Sequence, residues 1–157
     1  MRSQKEKAFG QFSSTQSQRP NTTGPVEIEL DTQEDTVGKN FNLYCDKGDV
    51  MVKKSGLYLI IAGPQVGKET GDKPRWIDFW FRINGTDVPN SNVRYVVKDA
   101  RQKNVIITQT VTNLTNGDIL NVMMSVENAE EGMGIEVIQP EGEPLVPSII
   151  LTILQLE

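Results

Sequence analysis

Leu59-Ile60-Ile61-Ala62 runs directly into Gly63-Pro64-Gln65-Val66-Gly67-Lys68, the stretch of this chain that comes nearest to a phosphate site. A phosphate loop cradles its ligand with backbone N–H groups between two glycines, reaches it with a lysine, and holds a metal ion through the Ser or Thr that follows. Here the glycines are one residue too close, Glu69 stands where the hydroxyl belongs, and no helical periodicity comes after. The segment reads instead as a glycine-rich connection between strands. Other chemistry would have to come from carboxylates. Glu127, Glu130, Glu131 and Glu136 offer the hard oxygen ligands that calcium accepts, but with no recognised spacing, and a solvated charged loop accounts for them as well. Asp72 with Asp78, or Glu141 with Glu143, would suit acid and base work only at a separation that sequence does not give, so surface charge is the simpler reading.

The chain has no histidine. That excludes Ser-His-Asp and Cys-His nucleophilic sites, histidine-bound zinc or iron, and a histidine general base. Cys45 is the single cysteine, so it forms no internal disulfide and reads as core packing. Asn21-Thr22-Thr23, Asn84-Gly85-Thr86 and Asn113-Leu114-Thr115 fit the glycosylation pattern, yet two of them fall in turns where Asn and Thr are expected anyway. No catalytic, cofactor-binding or metal-binding residue is assigned from this inventory.

At 157 residues and 17.5 kDa the chain fits one domain, 1–157, with residues 1–7 as a flexible start. Sixteen basic against 21 acidic residues give a net charge of −5, which argues against a nucleic-acid partner. No apolar run approaches bilayer length, and no targeting segment opens the chain at Met1 to Lys7, so no membrane insertion is expected. A mature secreted product, a trimmed chain and export without a signal would all look alike, which leaves localisation open.

Short alternating runs parted by turn residues predict an all-β sandwich. The strongest is Trp76 to Ile83, where Ile77, Phe79, Phe81 and Ile83 form an apolar face and Trp76, Asp78, Trp80 and Arg82 the other, before Asn84-Gly85 supplies a tight hairpin turn. Strands are also expected at Ala8 to Phe12, from Val26 to Leu30, and at Phe41 to Tyr44, Val50 to Lys54, Leu57 to Ala62, Val93 to Lys98, Asn104 to Val111, Ile119 to Val126, Ile135 to Ile138 and Ser148 to Leu156. Leu57 to Ala62 reads as buried on both faces, and the last strand as central. Asn104 to Val111 sets Val105, Ile107, Gln109 and Val111 on one side. Met123 and Met124 point to opposite faces and read as packing. Leu114 to Asp118 is a turn, and Asn128 to Gly134 and Pro140 to Pro147 are loops. The tryptophan face is too apolar for water alone and predicts a second surface, with oligomerisation the simplest source.

Four pieces, in order over nearly the whole chain, carry a resemblance. They are Ala8-Phe9-Gly10-Gln11-Phe12, Gly56-Leu57-Tyr58-Leu59-Ile60, the aromatic strand ending in Asn84-Gly85, and Leu114 with Gly117-Asp118, Leu120 and Val122. With them the chain resembles the globular head of the collagen-tailed first complement component, in the complement and tumour necrosis factor jelly-roll superfamily. Departures are the absence of a collagen stalk and Pro147-Ser148-Ile149-Ile150 where the family has a Phe-x-Gly-Phe strand, so bacterial, stalkless or spore-surface members look more similar. The resemblance implies a ten-stranded sandwich of two five-stranded sheets, assembled as a homotrimer about the sheet holding the first, third, sixth and last major strands. Trp76, Trp80, Met123 and Leu154 would lie near that axis, one face of the last strand among them. It further implies a cell- or spore-surface location, no enzymatic activity, no cofactor beyond a calcium ion in some members, and exposed loops for a protein or carbohydrate ligand. A purely structural fibre knob is the alternative role. A sugar-active jelly-roll enzyme is the remote one, since such barrels hold their metal through histidines.

Overall fold

Alternation from Trp76 onward becomes a nine-residue strand, Arg75–Ile83, in a computed structural model that describes residues 6–34 and 42–157. In chain order the strands are β1 (Phe9–Ser14), β2 (Val26–Glu27), β3 (Thr32–Gln33), β4 (Leu43–Asp46), β5 (Asp49–Val52), β6 (Gly56–Gly67), β7 (Arg75–Ile83), β8 (Thr86–Asp87), β9 (Val93–Val97), β10 (Asn104–Val105), β11 (Thr108–Leu114), β12 (Ile119–Val126), β13 (Gly134–Ile135) and β14 (Ile149–Gln155). All pairings are antiparallel. Sheet 1 runs β11-β6-β14-β1-β3, with β10 and β13 extending it along β6. Sheet 2 runs β4-β5-β12-β7-β9, with β2 added to the β5 edge of β12 and β8 to the β9 edge of β7. Each sheet is therefore five strands wide, and the chain passes repeatedly between them, from β1 to β5, β6, β7, β11, β12 and β14. This is a ten-stranded jelly-roll sandwich.

The two inner faces supply the core. β7 contributes Ile77, Phe79 and Phe81, β12 contributes Leu120, Val122, Met124 and Val126, and across the gap stand Tyr58, Ile60 and Ala62 of β6 with Ile149, Leu151 and Ile153 of β14. Each of these strands alternates inward apolar with outward positions, so register fixes which side chains leave water. Asn84 and Gly85 both take positive φ, 51° and 78°, as the tight hairpin between β7 and β8 requires.

Several boundaries differ from the sequence reading. β6 continues through Gly67, so Gly63 to Gly67 is strand and not connection. Leu57, Leu59 and Ile61 remain partly exposed, and Leu57 to Ala62 is thus buried on one face only. β11 extends to Leu114, which packs in the core instead of in a turn. Of Ile135 to Ile138 only Ile135 lies in a strand, while Ile138 makes an isolated bridge to Val146. Residues 1–5 of the expected flexible start, and Phe41, lie outside the described residues. No helix among the described residues is long and apolar enough to cross a membrane.

Phe79 is fully buried between the sheets. Phe79→Ala is expected to cost about 3–5 kcal/mol, through lost transfer energy and the cavity it leaves, read by denaturant unfolding at fixed protein concentration.

Candidate functional site

The phosphate-loop lookalike has a structural use. Lys68 follows β6 with its side chain wholly buried, donating to the Lys73 carbonyl at 2.5 Å and pairing with Glu131 at 3.2 Å. Arg75 also reaches Glu131, at 3.0 Å. Beside them Glu136, itself buried, is met by Lys103 at 2.5 Å and Arg19 at 3.3 Å, and Arg19 continues to Glu69 at 2.8 Å. Glu127 accepts from the Trp76 backbone N–H, and Glu130 is exposed. The four glutamates considered for calcium are thus either engaged by cations and N–H donors or solvated, and no grouping of carboxylates suited to a metal occurs among the described residues. Backbone bonds from Glu69 and Thr70 to the Glu131 carbonyl tie loop 69–74 to loop 128–133.

Neither acid-base pair forms a site. Asp78 is held by Arg94 through two bonds of 2.8 and 2.9 Å while Asp72 sits in an exposed loop, and Glu141 and Glu143 lie exposed in a turn. Burial, with Asp46 and Asp49 beside it, pushes the Cys45 thiol up to about 11, so it is protonated at neutral pH and inert.

The tryptophan face closes on itself. Arg94 of β9 stacks over Trp76 at 4.1 Å while binding Asp78, and Arg82 lies over Trp80 at 5.8 Å. Asp87 accepts from the Trp80 indole N–H at 2.7 Å and from Arg82 at 2.6 Å, and these bonds hold its carboxyl below the ordinary value. Met123, paired with Trp80 across β12 and β7, is almost fully buried within the single chain. Within the single chain arginines and aspartates cover part of this face, while Val96, which pairs with Trp76, keeps 46% of its surface exposed.

The outer face of sheet 1 has no such cover. Registers set Phe9, Leu154, Leu59 and Val111 in one row across four strands, Gln11, Thr152, Ile61 and Gln109 in the next, and Ser13, Ile150 and Gly63 in a third. None of these positions is charged, in a chain that is 24% charged. Val105, Ile107, Val111, Ile150 and Leu154 expose 56, 54, 57, 40 and 41% of their surfaces. Beside the third row lies a groove of about 290 Å³ between Ile107, Ile150 and Pro147. Its floor is Gly63, where a Cβ would come within 3.2 Å of Ile107 Cδ1. β11 is inverted: Thr108 turns inward to donate to the Ser91 carbonyl, while Val111 turns outward.

Of the four residues placed at an axis from sequence, only Leu154 lies on this face. Trp76, Trp80 and Met123 belong to the outer face of sheet 2, on the opposite side of the sandwich, so no single patch holds all four. Val105, Ile107, Val111 and Ile150 were absent from that set, although alternation along Asn104 to Val111 already put the first three on one side.

Solved structures share this architecture. Murine APRIL at pH 5.0 matches with a TM-score of 0.61 at 14% identity, covering 96% of this chain and 100% of that one. The fold is a jelly roll of the tumour necrosis factor and complement-head type. Murine APRIL at pH 8.5 and at pH 8.0 matches with TM-scores of 0.57 and 0.58, at 14% and 13% identity and the same coverage. No family profile and no curated protein matches the sequence. At this identity the likeness is one of fold.

The ion network sets an acid limit on stability. Partial burial raises the Glu131 carboxyl, but hydrogen bonds and charge from Arg75 and Lys68 outweigh it and leave the group below its ordinary 4.5. A carboxyl lowered on folding stabilises the fold above its unfolded value, and that contribution is lost as the pH falls through the folded one. Stability is therefore expected to decline below about pH 4.5. Glu131→Ala, which leaves the Lys68 ammonium buried without its carboxylate, is expected to cost about 3–5 kcal/mol at neutral pH and to flatten that acid decline, both measured by urea unfolding across pH.

Proposed function

We propose that the chain is one jelly-roll domain over 1–157 acting as a non-enzymatic homotrimer, a recognition or surface-display module of the complement-head and tumour-necrosis-factor-like kind, with the outer face of sheet 1 as its seam. The observation that carries this reading is the uncharged, exposed apolar face around Val111, Leu154, Ile107 and Ile150. A monomer in water has no use for such a face, and each Leu, Ile or Val withdrawn from water stabilises an assembly by up to roughly 1.5–3 kcal/mol. Sheet 1 contains β1, β6, β11 and β14, the strands that the sequence resemblance turns toward a threefold axis. An obligate seam of this kind buries on the order of 2,000 Å² or more in total.

Loops at the ends of the sandwich are left for a protein or carbohydrate ligand: 69–74 and 128–133, joined by the Glu131 bonds, and the exposed turn at Glu141 to Pro144. The fibre or spore-surface knob, which caps an assembly without a soluble ligand, rests on the resemblance in sequence. Alanine substitutions in these loops separate the two roles, since a recognition module loses ligand and a knob loses nothing. The sugar-active reading lacks histidine ligands for its metal.

Light scattering coupled to size exclusion is expected to give a salt-resistant mass of three chains for the native protein. Val111→Asp and Leu154→Asp alter side chains already exposed in the single chain, and are expected to give folded monomers with unchanged circular dichroism. A native monomer, or variants that still assemble, would refute the seam.

A further inference from the structure

One polar row crosses the uncharged face of sheet 1. Gln11 of β1, Thr152 of β14 and Gln109 of β11 stand in register, with Ile61 of β6 between the last two. Apolar side chains flank the row on both sides, Leu154 and Val111 on one and Ile150 and Ile107 on the other. The side chains of Gln11, Gln109 and Thr152 have no hydrogen-bond partner within the chain among the described residues, unlike the outward polar groups of sheet 2, where Asn121 reaches Asp49 at 2.7 Å and Asp78 holds Arg94. Each glutamine amide presents two donors and two lone pairs, and the threonine hydroxyl both donates and accepts.

We propose that Gln11, Thr152 and Gln109 form the polar layer by which copies of this chain recognise one another, setting the height at which subunits meet in the seam and so favouring a closed ring over slipped assemblies; this rests on the trimeric reading above. A second copy is the occupant the chemistry fits. A charged partner would find no counter-charge on this face, whereas amides and hydroxyls are complementary to themselves. A threefold axis along the strands brings equal heights together, so the row of one copy meets the row of the next and the amides bond across the seam. A slip by one row sets Gln109 against Leu154 or Ile150 and buries it unpaired, which penalises slipped, open assemblies relative to a closed ring. A single buried polar position specifies coiled-coil register in the same way.

The test compares native protein with the double variant Gln109→Leu/Thr152→Val, by light scattering and by exchange between subunits of two labels. Native protein is expected to be one three-chain species. The variant is expected to spread over more than one mass, or to exchange subunits at least tenfold faster, without a lower melting temperature. A variant that stays one three-chain species with native exchange overturns the polar layer and leaves the trimer standing; a native protein that is not a trimer overturns both. Gln109→Glu provides a second readout that does not depend on how the double variant folds. With a carboxylate in the layer, its three-chain species should be lost at neutral pH and regained near pH 4, where the acid is neutral. Equal assembly at both pH values contradicts the proposal.

Discussion

The arrangement turns on a mismatch between how many apolar faces the chain carries and how many a two-layer sandwich can hide. Packing β6, β14 and β1 against β7, β12 and β5 removes two faces from water. A third remains on the outside of sheet 1. The outside of sheet 2 shows what a solvent face looks like in this protein. There Arg94 lies on Trp76, Asp87 caps both Trp80 and Arg82, and Asn121 is tied to the β4–β5 turn. Charged groups shield the aromatic rings and aspartates in turn satisfy the charges. The three rows of sheet 1 have no such residues, and within the chain that face stays open to water.

Ionic chemistry is concentrated at one end of the sandwich, where β6 leaves sheet 1. Lys68 is a wholly buried cation, and its cost is tolerable because Glu131 and a backbone carbonyl meet it at short range. Backbone bonds to the Glu131 carbonyl also draw loops 69–74 and 128–133 together, which fixes the shape of that end of the sandwich. A glycine-rich segment ending in lysine thus serves as a strand and a buried ion pair. Its fate illustrates why a motif needs its structural context: no helix N-terminus follows it to receive a phosphate.

Local rules were legible in the sequence. Period two at Trp76 to Ile83 and positive φ at Asn84-Gly85 depend on neighbours in the chain, and both appear where expected. Which sheet a strand joins depends on pairings between distant residues, and parity along one strand says nothing about it. That is why Trp76 and Leu154 were placed at one axis yet stand on opposite sides. The buried pairing of Lys68 was not legible, because its partner Glu131 is 63 residues further on. The exposed apolar face of sheet 1 did have a sequence signal in β11, where threonines alternate with Gln109 and Val111. A strand that turns Thr108 into the core, leaves Thr110 and Thr112 half-buried and exposes Val111 is inverted relative to a solvent-facing strand.

Hydroxyl-radical footprinting of side chains at high and low protein concentration tests the central claim most directly, because it asks which apolar groups lose water when copies meet. The account predicts that Val105, Ile107, Val111, Ile150 and Leu154 are protected at high concentration and become reactive on dilution below the point of dissociation. Tyr44 and Met51, exposed on sheet 2, should react equally in both. Protection of Tyr44, Met51 and Trp76 instead, or no concentration dependence at Val111 and Leu154 in a protein of three-chain mass, would contradict it.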